Sequence, residues 1–200
     1  MHIRNTAAAL VLISTIAPAI AEPLAVWRLF GPEHFYTTNC QEAEQVLDTG
    51  YVLEGNPAFY IETAPTPGTN PMYRFFNGQK HLYTTSRNAE GADGYALEGI
   101  LGHIFHSRGP ELIPLYRAYN PVSGDHLFTI GRGEYQRATQ GSGYEPEGVV
   151  GYVPKSGVKP CSPTAQSPPT DSNLSEEEEC FQCDEDERDF PQDVPRRERR

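Results

Sequence analysis

The sequence predicts a mainly β body with short helices: a pseudo-threefold closed body made of three repeats of about 45 residues, β-trefoil-like, with a small three-bladed arrangement as the alternative. One observation behind this is a stretch written three times. It runs Val26-Trp27-Arg28-Leu29-Phe30, His34-Phe35-Tyr36-Thr37-Thr38 and Gly50-Tyr51-Val52-Leu53-Glu54-Gly55. It returns as Met72-Tyr73-Arg74-Phe75-Phe76, His81-Leu82-Tyr83-Thr84-Thr85 and Gly94-Tyr95-Ala96-Leu97-Glu98-Gly99. The third writing is Leu115-Tyr116-Arg117-Ala118-Tyr119, His126-Leu127-Phe128-Thr129-Ile130 and Gly143-Tyr144-Glu145-Pro146-Glu147-Gly148. A unit this small cannot bury its apolar face alone, so copies must stack on one another. The other observation is the regular alternation of short aromatic and β-branched runs with turn residues, which reads as about four short strands per copy. A trefoil unit does not usually carry a helix, and this one has a helix signal; that keeps the bladed alternative open.

The elements follow in chain order. Residues 1–21 read as a secretory signal: Arg4, the apolar run Ala7 to Ile16, then Ala19-Ile20-Ala21 as a small-x-small cleavage site. The run is shorter than the roughly 20 residues a bilayer span needs, and no later stretch is long and apolar enough. The three-repeat domain is expected over 22–154, with repeats at about 24–62, 71–106 and 113–154. In the first, Val26 to Phe30 and His34 to Thr38 read as strands joined at Gly31-Pro32. Asn39 then caps a short helix that ends at Gly50. Tyr51 to Glu54 and Ala58 to Ile61 read as two further strands, broken by Gly55-Asn56-Pro57. A Pro- and Gly-rich joint, Thr63 to Pro71, leads to the second repeat, whose helix signal Arg87 to Ala92 is weak. Ser107 to Pro110 precedes the third repeat, where Glu134 to Thr139 is the helix candidate. Residues 155–200 are rich in Pro, Ser and acids and read as a disordered tail.

The formal net charge of −11 argues against nucleic acid, which needs clustered Lys and Arg. Asp171 to Asp193 alone holds eleven acids and one base, and reads as a solvated acidic spacer. Four cysteines, Cys40, Cys161, Cys180 and Cys183, fit an exported chain. Three pairings are open; Cys40 with Cys161 and Cys180 with Cys183 is the tidiest, because the first would close a long loop.

The motifs over Val26 to Val153 resemble a family of secreted tandem repeats of unknown function in bacterial and fungal extracellular proteins. Its pattern is roughly Tyr-Arg-x-Tyr-Asn-Pro, His-x-Tyr-Thr-Thr, an acidic short helix, then Gly-Tyr-x-x-Glu-Gly. Trp27 stands for the first Tyr in repeat one, which also lacks the Asn-Pro turn; Phe128 and Ile130 replace Tyr and Thr in repeat three. Members often sit beside polysaccharide-degrading modules, so the resemblance implies a glycan-facing role by association.

The repeated side chains bear two readings. Arg28, Arg74 and Arg117 either pair with Glu54, Glu98 and Glu147 to fix the stacking register, or present a donor fork to a ligand. His34, His81 and His126 either make structural hydrogen bonds or touch a ligand; no tight cluster accompanies them, so no metal site is expected. Tyr36 and Tyr83, with Phe128, either fill the core or stack on a sugar. No nucleophile elbow, zinc motif or phosphate loop is present, and no cofactor is expected. Copied residues occupy like environments, whereas catalysis needs unlike ones. The function expected is a secreted, monomeric, non-enzymatic module that binds glycan or cell-wall polymer. The alternatives are a structural or protein-interaction domain, and a glycan-cleaving hydrolase.

Overall fold

The computed structural model describes residues 21–164. The expected signal, the acidic run and Cys180 and Cys183 lie outside the described residues. Strands dominate. The first unit has β1 (Leu24–Phe30), β2 (His34–Thr37), α1 (Cys40–Leu47) and β3 (Val52–Ile61). The second has β4 (Thr69–Phe76), β5 (His81–Thr84), a 3-10 turn (Ala89–Gly91) and β6 (Ala96–Phe105). The third has β7 (Leu112–Asn120), β8 (Asp125–Thr129), α2 (Arg132–Gly141) and β9 (Glu145–Pro154).

Each unit is three antiparallel strands with the first in the middle, a hairpin whose third strand crosses to the far side of the first: β2-β1-β3, β5-β4-β6 and β8-β7-β9. The expected break at Gly55-Asn56-Pro57 is not a break, so a unit has three strands rather than four. Those residues belong to one ten-residue strand, whose pairing with β1 slips on either side of Arg28. Similar slips lie beside Arg74 and Arg117. A bulge re-aims the residue next to it, and here it does so at every arginine.

The strands form two sheets, one of three strands and one of six, and not the closed barrel that a trefoil requires. The six-stranded sheet is the second and third units joined at one pair, Phe105 and Tyr152. Gly151 permits that approach: a Cβ there would stand 2.7 Å from Ile104 Cδ1. Likewise the first unit meets the second through a two-way backbone bridge between Glu62 and His103, at 3.2 and 2.8 Å. A Cβ on Gly102 would stand 2.8 Å from the Glu62 carbonyl oxygen.

Local sequence explains the helices. Asn39 accepts the Glu42 N–H at 3.2 Å and caps α1, which ends at Leu47 with Asp48 as its C-cap, two residues before Gly50. Gly50 then takes a left-handed φ of 95° that turns the chain into β3. In the second unit the poor helix formers give only a 3-10 turn, with Ala89 and Glu90 at φ 51° and 58°. Left-handed backbone is costly for such residues and persists where surrounding contacts hold it.

One core serves all three units. Val26, Tyr36, Phe59 and Ile61 pack with Met72, Tyr83, Leu101 and Ile104 and with Leu115, Phe128 and Val153. A second cluster, Ala25, Trp27, Leu29, Phe35 and Ala43, lies beneath α1. The ordered chain also runs past Pro154. Ala25 N–H donates to the Val158 carbonyl at 2.9 Å, Val158 N–H to the Pro23 carbonyl at 2.7 Å, and Cys161 is disulfide-bonded to Cys40. Composition alone placed Lys155 at the start of the tail; the backbone pairing holds Val158 beside β1, the disulfide ties Cys161 to α1, and the Lys155 N–H donates to the Glu111 carbonyl at 3.0 Å. Among the described residues no helix is long and apolar enough to cross a membrane.

Candidate functional site

The repeated arginines are held in carboxylate clamps. Arg28 Nε lies 3.2 Å from Glu54 Oε2, an ion contact rather than an aligned hydrogen bond, while Nη2 donates to Glu134 Oε1 at 2.7 Å. Arg74 meets Glu98 at 2.9 Å and forks onto both oxygens of Glu42 at 2.9 and 3.0 Å. Arg117 meets Glu147 at 2.7 Å and forks onto Glu90 at 2.6 and 3.2 Å. In each clamp one glutamate comes from the same unit and the other from the helix or turn of the preceding unit. The third unit thereby contacts the first.

The helix glutamates are held as firmly from the other side. Thr37 donates its hydroxyl proton to Glu42, and Thr84 to Glu90 at 2.5 Å. Burial alone would raise the Glu42, Glu90 and Glu134 carboxyls. Hydrogen bonds from Arg74, Arg117 and Arg28, with those from Thr37, Thr84 and Thr129, outweigh burial and hold all three below the usual range.

The histidines repeat a second device, twice of three times. The carboxylate of Asp125 accepts the His34 backbone N–H at 2.7 Å and meets His34 Nδ1 at 2.6 Å. Glu33 does the same for His81, at 2.7 and 2.6 Å. Glu33 and Asp125 are the residues immediately before His34 and His126, so each acid serves the histidine of the next unit. Tyr144 adds its hydroxyl to Asp125 at 2.6 Å. Burial would raise the Asp125 carboxyl, but the His34 and Tyr144 bonds hold it at about 2. By the same register the residue facing His126 is Lys80, which cannot accept. Its ammonium donates to the Pro32 carbonyl instead. Among the described residues His126 Nδ1 is buried with no hydrogen-bond partner. Burial first, then the Arg117 charge, pushes this imidazole down to about 4.

A third device links the centre, again twice of three times. The Tyr83 hydroxyl accepts the Tyr36 N–H at 2.9 Å and donates to the Tyr36 carbonyl at 3.0 Å. The Tyr36 hydroxyl accepts the Phe128 N–H at 2.8 Å and donates to its carbonyl at 3.4 Å. Position 128 has no hydroxyl to offer Tyr83. The three rings meet edge to face at 5.2, 5.4 and 6.2 Å.

The sequence candidates thus divide by location. Tyr36 and Tyr83 are 0% and 1% exposed and offer no face to a sugar. Arg28, Arg74 and Arg117, with Glu54, Glu98 and Glu147, are engaged with one another, and each of these glutamates also faces a histidine Nε2, at 3.2, 3.4 and 3.8 Å for His34, His81 and His126. Glu33, Glu42, Glu90, Asp125 and Glu134 were not among those candidates, although comparing the residue before each histidine across the copies exposes the odd Lys80.

Both irregularities fall on one junction, between the second and third units, and a cavity of about 550 Å³ opens there. Asn77, Lys80 and Tyr95 line it from the second unit; Tyr119, His126 and Glu147 line it from the third. Its size is that of small-molecule pockets. A smaller hollow of about 220 Å³, which shares Glu90 with it, is lined by Tyr83, Phe128 and Arg117. Among the described residues no cluster of His, Cys, Asp and Glu could hold a metal ion.

No curated protein and no solved structure matches the chain. One family model matches twice, over residues 13–93 and 87–167, and so covers most of the sequence. The chain belongs to the family described as Domain of unknown function (DUF5648), with two matched stretches in tandem.

Proposed function

We propose that the chain is an exported, non-enzymatic module that binds a glycan or cell-wall polymer through the cavity between its second and third units. The single observation that carries this reading is the contrast between junctions. The acid that grips the next unit's histidine is present at the other two junctions, whereas this one has Lys80 in its place and a cavity of about 550 Å³ that collects two tyrosines, an asparagine, a lysine and a histidine. The cavity of about 260 Å³ between the first and second units is lined instead by Arg74 and the glutamates that clamp it. Flat rings beside hydrogen-bonding side chains suit a sugar. The clamps support a framing role for the repeated charges, in three blades that close with pseudo-threefold symmetry as the third unit returns to the first. Catalysis by Glu54, Glu98 or Glu147 is disfavoured, since each carboxylate is tied to an arginine in the same way and a glycosidase needs two in unlike environments.

Retention on insoluble polysaccharides tests the proposal. Specific retention that falls at least tenfold in a Tyr119→Ala variant of unchanged melting temperature is the expected result. A folded protein retained by no polysaccharide overturns it and leaves a structural or protein-interaction role. Release of reducing sugar would instead favour a hydrolase.

A further inference from the structure

Two of the three junctions place a carboxylate in the same position: on the backbone N–H and Nδ1 of the next unit's histidine, at 2.6 to 2.7 Å. At one of them a tyrosine hydroxyl, that of Tyr144, completes the grip. At the third junction the tyrosine is present as Tyr95 and the histidine as His126, but Lys80 stands where the acid belongs. The receptor for a carboxylate is therefore repeated while the carboxylate is not, and a cation has been put beside it. We propose that the cavity between the second and third units binds an acidic sugar, a uronic acid residue of a polymer, whose carboxylate takes the place that Glu33 and Asp125 hold at the other junctions. This rests on the glycan reading above and adds the ligand's charge to it.

Several observations support that assignment. The Lys80 ammonium has three protons and gives one to the Pro32 carbonyl, so it retains donors for an incoming anion. Glu90 and Glu147 also line the cavity, but both are bonded to Arg117, and Arg117 and Lys80 together balance their two charges. Among the described residues His126 Nδ1 is a buried polar atom without a hydrogen-bond partner, a costly condition that a ligand donor or acceptor relieves. Tyr119 packs against the His126 ring, tilted at 33° with centroids 4.7 Å apart, and lines the cavity as a flat ring for a pyranose. Burial and the Arg117 charge hold the imidazole down, and an adjacent carboxylate would lift it.

Calorimetric titration of the full chain tests this with tetragalacturonate, a hyaluronan tetrasaccharide, the methyl ester of the first, and neutral galactotetraose. At least one acidic probe is expected to bind, with the ester and the neutral oligomer at least tenfold weaker. Lys80→Glu supplies the protein's own carboxylate; it is expected to raise the melting temperature by a few degrees and to abolish binding. Lys80→Gln is expected to weaken binding without that rise. If an acid and its ester bind equally, or Lys80→Glu binds undiminished, the carboxylate assignment falls while the glycan reading stands. If no acidic probe binds yet a neutral polysaccharide retains the protein, the assignment again falls alone. If nothing of either kind is retained, both fall.

Discussion

Removing the central tyrosine hydroxyls tests whether the units are held together as described. Tyr36→Phe deletes a group that accepts the Phe128 N–H at 2.8 Å and donates to its carbonyl at 3.4 Å. Tyr83→Phe deletes bonds of 2.9 and 3.0 Å to Tyr36. Both sites are buried, so each change leaves a backbone N–H without water or partner. That costs about 1–3 kcal/mol, with Tyr83→Phe the larger because both of its bonds are short. For a domain of this size about 2 kcal/mol lowers the melting temperature by roughly 4–8 °C. Phe128→Tyr should act in the opposite direction. Its hydroxyl enters the 220 Å³ hollow toward Tyr83 and gains about 0.5–1.5 kcal/mol. Urea unfolding at constant m-value gives all three numbers. The reasoning is refuted if both deletions cost under about 0.5 kcal/mol, or if Phe128→Tyr destabilises by more than about 1 kcal/mol, the cost of overpacking.

Three further outcomes follow from the same contacts. Stability should fall in two stages on acidification. The folded pKa of His126 is depressed to about 4 from 6.5, so its contribution is complete above 6.5 and is lost toward 4; Asp125, depressed to about 2 from 3.8, loses its share below that. His126 faces Arg117, Glu147, Glu90 and Asp125, and Lys80 lines the same cavity; His126→Phe should remove the upper stage, worth up to about 3 kcal/mol, from the pH-stability curve. Replacing Cys40 and Cys161 together by Ala opens a loop with a sequence separation of 121, which loop-closure entropy values at up to about 5 kcal/mol; a loss under about 1 kcal/mol in chemical unfolding contradicts that. Glu42→Gln, Glu90→Gln and Glu134→Gln should each destabilise by about 1–3 kcal/mol, Glu134→Gln most, because Arg28 is only 7% exposed.

Much of this architecture is legible in the residues. The first hairpin shows in the alternation Val26 to Phe30 and His34 to Thr38, and the weak second helix in the glycine of Arg87 to Ala92. What misleads is Gly55-Asn56-Pro57: locally it is turn chemistry, yet tertiary pairing makes it a bulge that aims Arg28 at its carboxylates. The barrel expectation failed for a related reason. Strand alternation reports which face is buried, not whether the last strand pairs with the first, and here the units meet mainly through side chains. The charged candidates Arg28, His34 and Glu54 stand out because they recur in all copies. Their partners across the junctions are harder to see. Glu42, Glu90 and Glu134 sit five, six and five residues after Thr37, Thr84 and Thr129, in helices of unequal form, so spacing alone hides their common role. Glu33, Lys80 and Asp125 differ in charge, and only the fold shows that among the described residues this difference leaves His126 Nδ1 without a hydrogen-bond partner.

The contact between Arg28 of the first unit and Glu134 of the third tests most directly whether the chain closes on itself. In a double-mutant cycle with Arg28→Met and Glu134→Gln, the paired fork at 2.7 and 3.3 Å predicts a coupling energy of about 1–3 kcal/mol in chemical unfolding. Additivity within about 0.3 kcal/mol would mean that the first and last units do not hold each other, and would contradict the account.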